Sequence, residues 1–296
     1  MTTHPPATLA RLVAPRVALA SCVRGYLLRS TLDAPPLTDA QRLNRFPATP
    51  FCAITWMIAG SGRLVEPAIP DAVAGPGDAI FSGPRTQPCI TGNPGPVHTL
   101  TVLFFADALH RLTGIDMAAQ IDRMTMLDDV LDASWQELSA RIVAAPDDDA
   151  RIVAAPDDDA RIGVFEEWLE PRWRAARGDT HGAWAPVRDW LQALAVRAVA
   201  AGVGRSARMT ERRVRAWTGH PLRTLRRLAR VEESLLAARD DEREGRVSLS
   251  DVAARSGYAD QAHLSREARE LIGTSPRELI RLARTDESYW LYRIWS

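Results

Sequence analysis

Residues 248–279 place the strongest constraint on the fold of this 296-residue chain. Ser248 is followed three residues later by Asp251, which is the spacing of a capping box and predicts the start of a short helix. Gly257 can take the positive φ of a tight turn, and Asp260 is a favourable N-cap for a second helix. The stretch therefore predicts two short helices joined by a tight glycine turn.

The second predicted helix has an apolar and a polar face. Its apolar positions fall at helical spacing, at Leu264, Ala268, Leu271 and Ile272. Gly273 is a stop signal, and Ser275 followed by Pro276 predicts a third helix. Two helices joined by such a turn form the helix-turn-helix pattern, whose second helix enters the DNA major groove. The alternative is a small helical domain with a solvated polar face, which has the same spacing of apolar residues.

The polar face of this helix carries side chains that read base edges. Gln261 and Ser265 are four residues apart, and Arg266 lies beside them, away from the apolar positions. Gln and Arg make bidentate hydrogen bonds to adenine and guanine. The candidate DNA-binding residues are therefore Gln261, His263, Ser265 and Arg266, and Arg269 is a candidate phosphate contact.

Residues 257–279, G-Y-A-D-Q-A-H-L-S-R-E-A-R-E-L-I-G-T-S-P-R-E-L, resemble the second helix-turn-helix of AraC/XylS-type transcription regulators. The shared features are a Gly-aromatic pair, a capping residue, Gln, Ser-Arg and a final Gly-x-Ser-Pro. The resemblance implies an all-α C-terminal domain with two such motifs joined by a long helix. It also implies a bacterial DNA-binding protein that is not an enzyme and needs no cofactor.

A first motif is similar to the same family at residues 206–219, although less closely. The family's first recognition helix reads Ser-x-Arg-x-Leu-x-Arg-x-Phe, and Arg208 and Arg212 fit its two Arg positions. Thr210 stands where Leu is usual, and Val214 stands where Phe is usual, so the predicted apolar face is thin. Whether the first motif is fully functional is left open by the sequence.

Arginine dominates the segment around the first motif. Residues 205–230 contain nine Arg and one acid, a self-repelling set that DNA phosphates would neutralise. A solvated charged face is the alternative. Arg208 and Arg212 are candidates for base contacts, and Glu211 is a candidate acceptor from cytosine. The remaining DNA contacts, expected to hold phosphates, are Arg205, Arg215, Arg223 and Arg227.

Pro221 predicts the start of a helix that connects the two motifs. The helix has a predicted apolar stripe at Leu222, Leu225, Leu228, Val231 and Leu235. A rigid connecting helix holds two recognition helices about one DNA turn, roughly 34 Å, apart. One chain is then expected to read two successive major grooves.

Charge and cysteine usage agree with a DNA partner inside the cell. Residues 1–204 carry 18 Arg and 23 acids, a net charge of −5, whereas residues 205–284 carry 18 Arg and 12 acids, a net charge of +6. No apolar window of about 18 residues indicates a membrane span. We expect a cytoplasmic, nucleoid-associated protein in which three thiols are buried and free, at Cys22, Cys52 and Cys89.

Residues 1–125 are predicted to form a β-rich domain. The strand candidates are residues 17–29, 52–58, 63–65, 79–81 and 99–105. Pro and Gly crowd the connections, which is typical of a small β-barrel or sandwich. With the helical C-terminal part, the predicted fold class is α+β and multidomain.

Three stretches of this domain are similar to the β-rich domain that fronts one AraC-type subgroup, namely R-F-P-A-T-P-F-C-A-I-T-W, F-S-G-P-R-T-Q-P and V-L-F-F-A-D-A-L-H-R-L-T-G. In better-known relatives the front domain is cupin-like and senses a small molecule, which implies an effector-binding or dimerisation role. Trp56, Phe81 and Phe104 are candidate ligand contacts, with core packing as the alternative. A cupin metal site needs a His-x-His pair and further ligands, whereas His98 and His110 lie apart, so no metal or catalytic site is expected.

Two further segments complete the predicted organisation. Residues 126–180 are expected to form a helical connector that contains R-I-V-A-A-P-D-D-D-A twice, at 141–150 and 151–160. The proline in each copy disfavours one continuous helix, so the repeat is expected to add a loop or a longer arm. Residues 181–285 form the predicted DNA-binding domain, and the aromatic tail, 286–296, is expected to pack on it.

These patterns predict a sequence-specific transcription regulator, either a monomer or a homodimer, that binds double-stranded DNA. RNA polymerase and a small-molecule effector are the further expected partners. The alternative is a ligand-binding or protein-interaction module whose specific DNA binding has weakened, which the imperfect first motif leaves open.

Overall fold

A computed structural model describes residues 8–67, 73–144, 155–177, 187–200, 207–245 and 248–294. A β-rich N-terminal region precedes an all-α C-terminal region, so the predicted α+β class is confirmed. The strands are β1 Leu9–Val13, β2 Val23–Ser30, β3 Leu43–Phe46, β4 Phe51–Ala59, β5 Gly62–Glu66, β6 Val73–Ala74, β7 Ala79–Ser82, β8 Cys89–Gly92, β9 His98–Phe105 and β10 Met124–Met126. The helices are α1 Ala106–Thr113, α2 Ala133–Ala144, α3 Ala155–Arg177, α4 Val187–Ala200, α5 Ala207–Thr218, α6 Leu222–Arg243, α7 Leu249–Arg255, α8 Gln261–Ile272, α9 Pro276–Thr285 and α10 Trp290–Ile294.

The strands form two antiparallel sheets. The larger has the order β1-β2-β9-β4-β7-β10, and the smaller has the order β3-β8-β5-β6. The larger sheet is open, because its edge strands β1 and β10 each pair on one side only within the described residues. A barrel, one of the two predicted architectures, is therefore wrong. The predicted strand at 17–29 is also wrong in its first half, because that half belongs to the connection that turns β1 back onto β2.

The larger sheet has two different faces, because side chains alternate along its strands. On β4, Ile54 and Trp56 are fully buried in the main core, whereas Thr55 and Met57 line the opposite face. The same alternation on β9 places Leu100, Val102 and Phe104 in the core and Thr99, Thr101 and Leu103 opposite. The face away from the core thus carries several short or polar side chains.

Helices α1 to α4 cover the core face. Trp56 packs edge-on against Phe165 of α3, with 5.8 Å between ring centroids, and its indole N–H donates to Ser139 of α2 at 2.8 Å. Helix α3 continues through Pro171, although a proline ordinarily ends or kinks a helix. Trp173, two residues further on, is buried in the core, which holds the last part of the helix in place.

The tandem repeat is divided between two helices. Residues 141–144 of the first copy end α2, where Ile142 is fully buried. Residues 155–160 of the second copy begin α3, where Asp158 is fully buried. The residues between them lie outside the described ranges. The two copies thus supply different halves of one ten-residue motif to the packed structure.

The C-terminal helices have a second core, and α6 belongs to both. Leu225 of α6 packs into the main core, whereas Leu228 and Val231 pack into the second core with α7, α8 and α9. None of the described helices combines the length and the apolar character that a membrane span requires.

The aromatic tail joins the two regions. Tyr289 packs in the second core, and the neighbouring Trp290 packs with strand residues that include Leu27 and Phe46. The indole N–H of Trp290 donates to Oδ1 of Asn44 on β3 at 2.8 Å. The end of the chain therefore contacts the N-terminal sheets as well as the helical region.

Candidate functional site

Helices α7 and α8 form the second helix-turn-helix motif. Oγ of Ser248 accepts from the backbone N–H of Asp251 at 3.3 Å, and Oδ1 of Asp260 accepts from that of His263 at 2.6 Å. Gly257, in the turn, has a φ of 73°. The predicted caps and the predicted glycine turn are therefore confirmed.

The polar face of α8 is open to solvent. Gln261 and Arg266 are exposed, and Ser265 is half-buried beside them. His263 is also half-buried, because its ring packs edge-on against Tyr258 with 5.2 Å between centroids. The face predicted to read DNA is thus accessible, and His263 additionally contacts an aromatic residue next to the turn.

Helices α4 and α5 form the first motif, and α5 exposes all four of its described DNA-contact candidates, Arg208, Glu211, Arg212 and Arg215. Val214, on the other side of α5, is buried in the main core. Arg205 lies outside the described residues. Arginine-bearing faces are therefore exposed on both recognition helices.

The three described phosphate-contact candidates outside α5 differ in their surroundings. Arg223 and Arg269 are exposed. Arg227, in contrast, places Nε 2.7 Å from Glu267 and Nη2 2.8 Å from Glu270. Hydrogen bonds with Glu270 and Glu267 raise the pKa of Arg227 above its ordinary value. Arg227 therefore joins the connecting helix α6 to the recognition helix α8.

The end of α5 rests on the N-terminal region. Gly219 has a φ of 75°, and a Cβ there would lie 2.9 Å from the carbonyl oxygen of Met117 and 2.7 Å from Cδ1 of Ile121. His220 follows, with Nε2 3.4 Å from the carbonyl oxygen of Thr49, and burial lowers the pKa of its ring. There is no room for a side chain at this position, so only glycine fits here.

A buried carboxylate on α1 ties the first motif to the N-terminal region. Asp107 is 5% exposed and accepts from the indole N–H of Trp190 at 2.7 Å. It also forms an ion pair with Arg197. Trp190 and Arg197 both lie on α4. The Trp190 ring packs against Phe51 and Phe105, with centroids 6.1 and 5.3 Å away. The first motif thus shares the main core with the N-terminal sheet.

A cavity of about 760 Å³ lies between the N-terminal and C-terminal regions. One side is formed by the larger sheet, on the face away from the main core, and by residues of the smaller sheet. The other side is formed by α6, α8 and α9, with residues that include Leu228, Val231, Leu235, Ile272 and Ile280. Its size and its mainly apolar lining are typical of a site for a small molecule.

The loop between β3 and β4 connects this cavity to both motifs. The backbone N–H of Ala48 donates to the carbonyl oxygen of Leu271, near the end of α8, at 2.7 Å. The next residue, Thr49, has its carbonyl oxygen beside His220, after α5. Thr49 also exchanges two backbone hydrogen bonds, of 2.8 and 3.1 Å, with Arg85, which lines the cavity.

The aromatic ligand-contact candidates lie away from this cavity. Trp56, Phe81 and Phe104 are fully buried in the main core and are not among the lining residues. Residues that do line the cavity include Thr55 and Thr101, whose hydroxyls lie 2.9 Å apart. The sequence signal for them is the alternation of threonine with large apolar residues on β4 and β9.

Two histidines of the N-terminal region, His98 and His110, make structural contacts. Nε2 of His98 lies 2.8 Å from Oδ1 of the buried Asp158, and Nδ1 of His110 lies 2.7 Å from the carbonyl oxygen of Ile115. Across the described ranges, no three His, Cys, Asp or Glu side chains are grouped as a metal site requires. Burial raises the pKa of the three free thiols, Cys22, Cys52 and Cys89.

Residues 199–282 match the family model of a helix-turn-helix domain. This part of the chain is therefore a helix-turn-helix domain, which implies DNA binding. The matched residues include the recognition helices of both motifs, one on each side of α6.

Several solved structures are similar to the chain at low identity. An apo variant of ToxT from Vibrio cholerae is 13% identical and has a TM-score of 0.43, with 86% of this chain and 97% of that chain covered. Wild-type ToxT with a bound unsaturated fatty acid is 13% identical, with a TM-score of 0.37 and coverage of 86% and 94%. The AraC-like transcriptional activator CuxR is 9% identical, with a TM-score of 0.27 and coverage of 97% and 99%. No curated protein sequence matches the chain.

Proposed function

We propose that this chain is a transcription regulator of the AraC type, that it reads one DNA site with both recognition helices, and that a small molecule in the cavity changes its affinity for that site. The exposure of the two polar faces carries the proposal. Helix α8 buries its apolar face and α5 buries Val214, and the two helices leave accessible Arg208, Arg212, Gln261 and Arg266. Exposed arginines on such helices favour phosphate and base contacts in a duplex. The protein then acts in the cytoplasm, at the nucleoid.

The position of the cavity supports the regulatory part of the proposal. A ligand there would touch the N-terminal sheets, the recognition helix α8 of the second motif, and α6 and α9, which share a core with that motif. A ligand shifts an equilibrium only by its different affinities for the two states. A molecule that contacts both regions binds two states with different affinities whenever the relative position of the regions differs between those states.

Replacement of Arg266 by alanine is expected to weaken binding to the specific DNA site by about 1–3 kcal/mol and to relax base preference at one position. Arg266 is exposed on the polar face of α8, so its removal costs little folding stability. Binding to a selected duplex, measured by fluorescence anisotropy in the presence of random competitor DNA, checks the prediction. Arg174→Ala, which removes an exposed arginine from α3, is the matched control. Equal affinities for the two variants would remove Arg266 from the reading face.

Arg223 and Arg227 are expected to differ in the salt dependence of DNA binding. Loss of one phosphate contact lowers the slope of log K against log salt by about 0.9. Arg223→Ala should show this change, because Arg223 is exposed and free to reach a phosphate. Arg227→Ala should leave the slope nearly unchanged, because its guanidinium is held by Glu267 and Glu270. A reduced slope for Arg227→Ala would show that the ion pairs exchange for phosphate.

A second candidate function is a ligand-responsive module whose specific DNA binding has weakened. The observation that favours it is the close packing of α5 on the N-terminal region, with Gly219 against Met117 and His220 against Thr49. Footprinting on genomic fragments in excess random DNA separates the two functions. Protected sites that span two helical turns support the regulator, and uniform weak protection supports the alternative.

A further inference from the structure

Two loops of the N-terminal region meet at the ends of both recognition helices. They are residues 47–50, which connect β3 to β4, and residues 83–88, which connect β7 to β8. Thr49 and Arg85 join them through two backbone hydrogen bonds of 2.8 and 3.1 Å. Both loops belong to the stretches by which this region resembles the front domain of one AraC-type subgroup. We refer to these two segments as the paired loops.

The paired loops hold the end of α8. The backbone N–H of Ala48 donates to the carbonyl oxygen of Leu271 at 2.7 Å, and Ala48 is buried in the second core. Gly273 caps α8, and a Cβ there would lie 3.8 Å from Cγ of Pro88 in the other loop. The last carbonyl groups of a helix have no partner within the helix. Ala48 therefore satisfies one of them from a distant part of the chain.

The next residue along the chain, Thr49, holds the end of α5. Nε2 of His220, two residues after α5, lies 3.4 Å from the carbonyl oxygen of Thr49, and His220 is 1% exposed. Ala48 and Thr49 are consecutive, so their Cα atoms are about 3.8 Å apart. The ends of α5 and α8 are thus fixed to two adjacent residues of one loop.

The second of the paired loops supports the end of α5 through Asp122. The backbone N–H of Asp122 donates to the carbonyl oxygen of Pro84 at 2.9 Å, and its carboxylate accepts from the backbone N–H of Thr86 at 2.8 Å. Asp122 follows directly on residues 117–121, and Gly219 packs against Met117 and Ile121 of that segment. Each of the paired loops therefore connects the end of α8 with the end of α5.

This connection is stiff, and it is additional to α6. Pro47 and Pro50 flank the two contacting residues, and a proline fixes its own φ and restricts the residue before it. Helix α6 joins the motifs along the chain, but it has 22 residues, and long helices curve. Val214 of α5 packs in the main core, whereas α8 packs in the second core. The relative position of the motifs is therefore fixed at two places, α6 and the paired loops.

We propose that the paired loops position the two recognition helices relative to each other and thereby set the spacing of the DNA half-sites that the chain reads. This inference rests on the proposed reading of one site by both helices, and it assigns the choice of spacing to the N-terminal region. When two binding elements are held rigidly, the second contact forms readily at the matching separation and is lost where the geometry does not match. One added base pair turns one half-site by about a tenth of a helical turn relative to the other.

The test measures DNA affinity as a function of half-site spacing. Wild type first selects a duplex from random DNA, and the bases that it protects define two half-sites. The full chain and its variants are then titrated by fluorescence anisotropy with this duplex, with duplexes that have one or two base pairs inserted between the half-sites, and with each half-site alone. We expect wild type to lose at least about tenfold in affinity when one base pair is inserted.

Ala48→Pro removes the N–H that contacts Leu271 and places a ring carbon there, so the loop must move away from α8. We expect this variant to bind the selected duplex about tenfold more weakly than wild type and to change by less than about threefold on insertion of one base pair. Its affinity for each isolated half-site should equal that of wild type, which a damaged motif would not show. Ala40→Pro, at an exposed position between β2 and β3, is the matched control and should keep the wild-type spacing preference.

A second variant reduces the stiffness of the loop and keeps the backbone groups that contact both helices. Pro47→Gly combined with Pro50→Gly frees the backbone on each side of these groups. Pro35→Gly combined with Pro36→Gly makes the same change at exposed prolines between β2 and β3. We expect the first double variant to tolerate inserted base pairs better than wild type and the second to behave as wild type does.

Three results would overturn the proposal. A wild-type spacing preference in both Ala48→Pro and Pro47→Gly/Pro50→Gly would show that α6 alone fixes the separation. An equal loss of affinity for isolated half-sites and for the whole duplex in both variants would show damage to a motif. Tighter binding of both variants to the selected duplex would show that the paired loops hold the motifs away from their DNA-binding arrangement. A wild type that binds one half-site as tightly as the whole duplex would instead contradict the proposed reading by two helices, on which the proposal rests.

Discussion

Replacement of Asp107 by alanine is expected to lower the free energy of unfolding by about 3–5 kcal/mol, which is the cost of removing one partner from a buried ion pair. Asp107 is 5% exposed and is the acceptor for the Trp190 indole at 2.7 Å. Its loss leaves that N–H and the Arg197 guanidinium without their acceptor, in a site that Phe51 and Phe105 help to shield from water. Urea unfolding followed by circular dichroism measures the loss.

Asp128→Ala is the matched control for this variant. Asp128 belongs to the same region but is exposed, so its removal should change the free energy of unfolding by no more than about 0.5 kcal/mol. Hydrogen exchange provides a local measurement, since backbone amides of α4 and α5 should lose protection first in Asp107→Ala. A variant as stable as the control, with unchanged protection in these helices, would show that Asp107 does not hold α4 against the N-terminal region.

The second motif could be predicted from the sequence because its signals are local. The caps at Ser248 and Asp260 act on amides three residues away, and both hydrogen bonds are present in the structure. Gly257 and Gly273 have positive φ, as the turn and the helix stop require. Such signals depend on the residues of one short segment, so no knowledge of the remaining chain was needed.

The ion pairs and hydrogen bonds between helices that are distant in sequence could not be predicted in the same way. Arg227 and Glu267 are 40 residues apart, and Asp107 lies 83 residues from Trp190 and 90 from Arg197. An arginine in a basic segment has the same sequence pattern whether it meets a phosphate or a distant carboxylate. The choice is made by tertiary packing, which brings α6 beside α8 and α1 beside α4.

The cavity shows a different limit of sequence reasoning. Large aromatic residues such as Trp56 and Phe104 are plausible ligand contacts from sequence alone. Large apolar side chains are also the ones most often buried in cores. Trp56 and Phe104 both lie in the main core. An empty space requires short side chains, and Thr55 and Thr101 line it. Short strands such as β3 and β8 were likewise missed, because their pairing with each other depends on long-range contacts rather than on β-propensity.

Replacement of Glu267 by alanine is the second change with a large expected effect, a loss of about 2–3 kcal/mol in the free energy of unfolding. Glu267 is 5% exposed and accepts from Arg227 at 2.7 Å and from Arg230 at 2.8 Å. The estimate lies below the full cost for a buried pair because both arginines are about a third exposed and can turn to water. Thermal or urea unfolding at neutral pH measures it.

Glu270→Ala is the control on the same helix, because Glu270 pairs with the same Arg227 but is 60% exposed. Its loss should cost at most about 1 kcal/mol.

The two variants should also differ in the pH dependence of their stability. Burial alone would raise the pKa of Glu267, but hydrogen bonds from Arg227 and Arg230 outweigh it and the pKa is lowered. A lowered pKa stabilises the fold above the unfolded value of about 4.3 and ceases to do so as the pH falls through the folded value. The stability difference between wild type and Glu267→Ala should therefore shrink below about pH 4. A difference that stays constant down to acid unfolding would show that packing, rather than the charged pair, accounts for the contribution of Glu267.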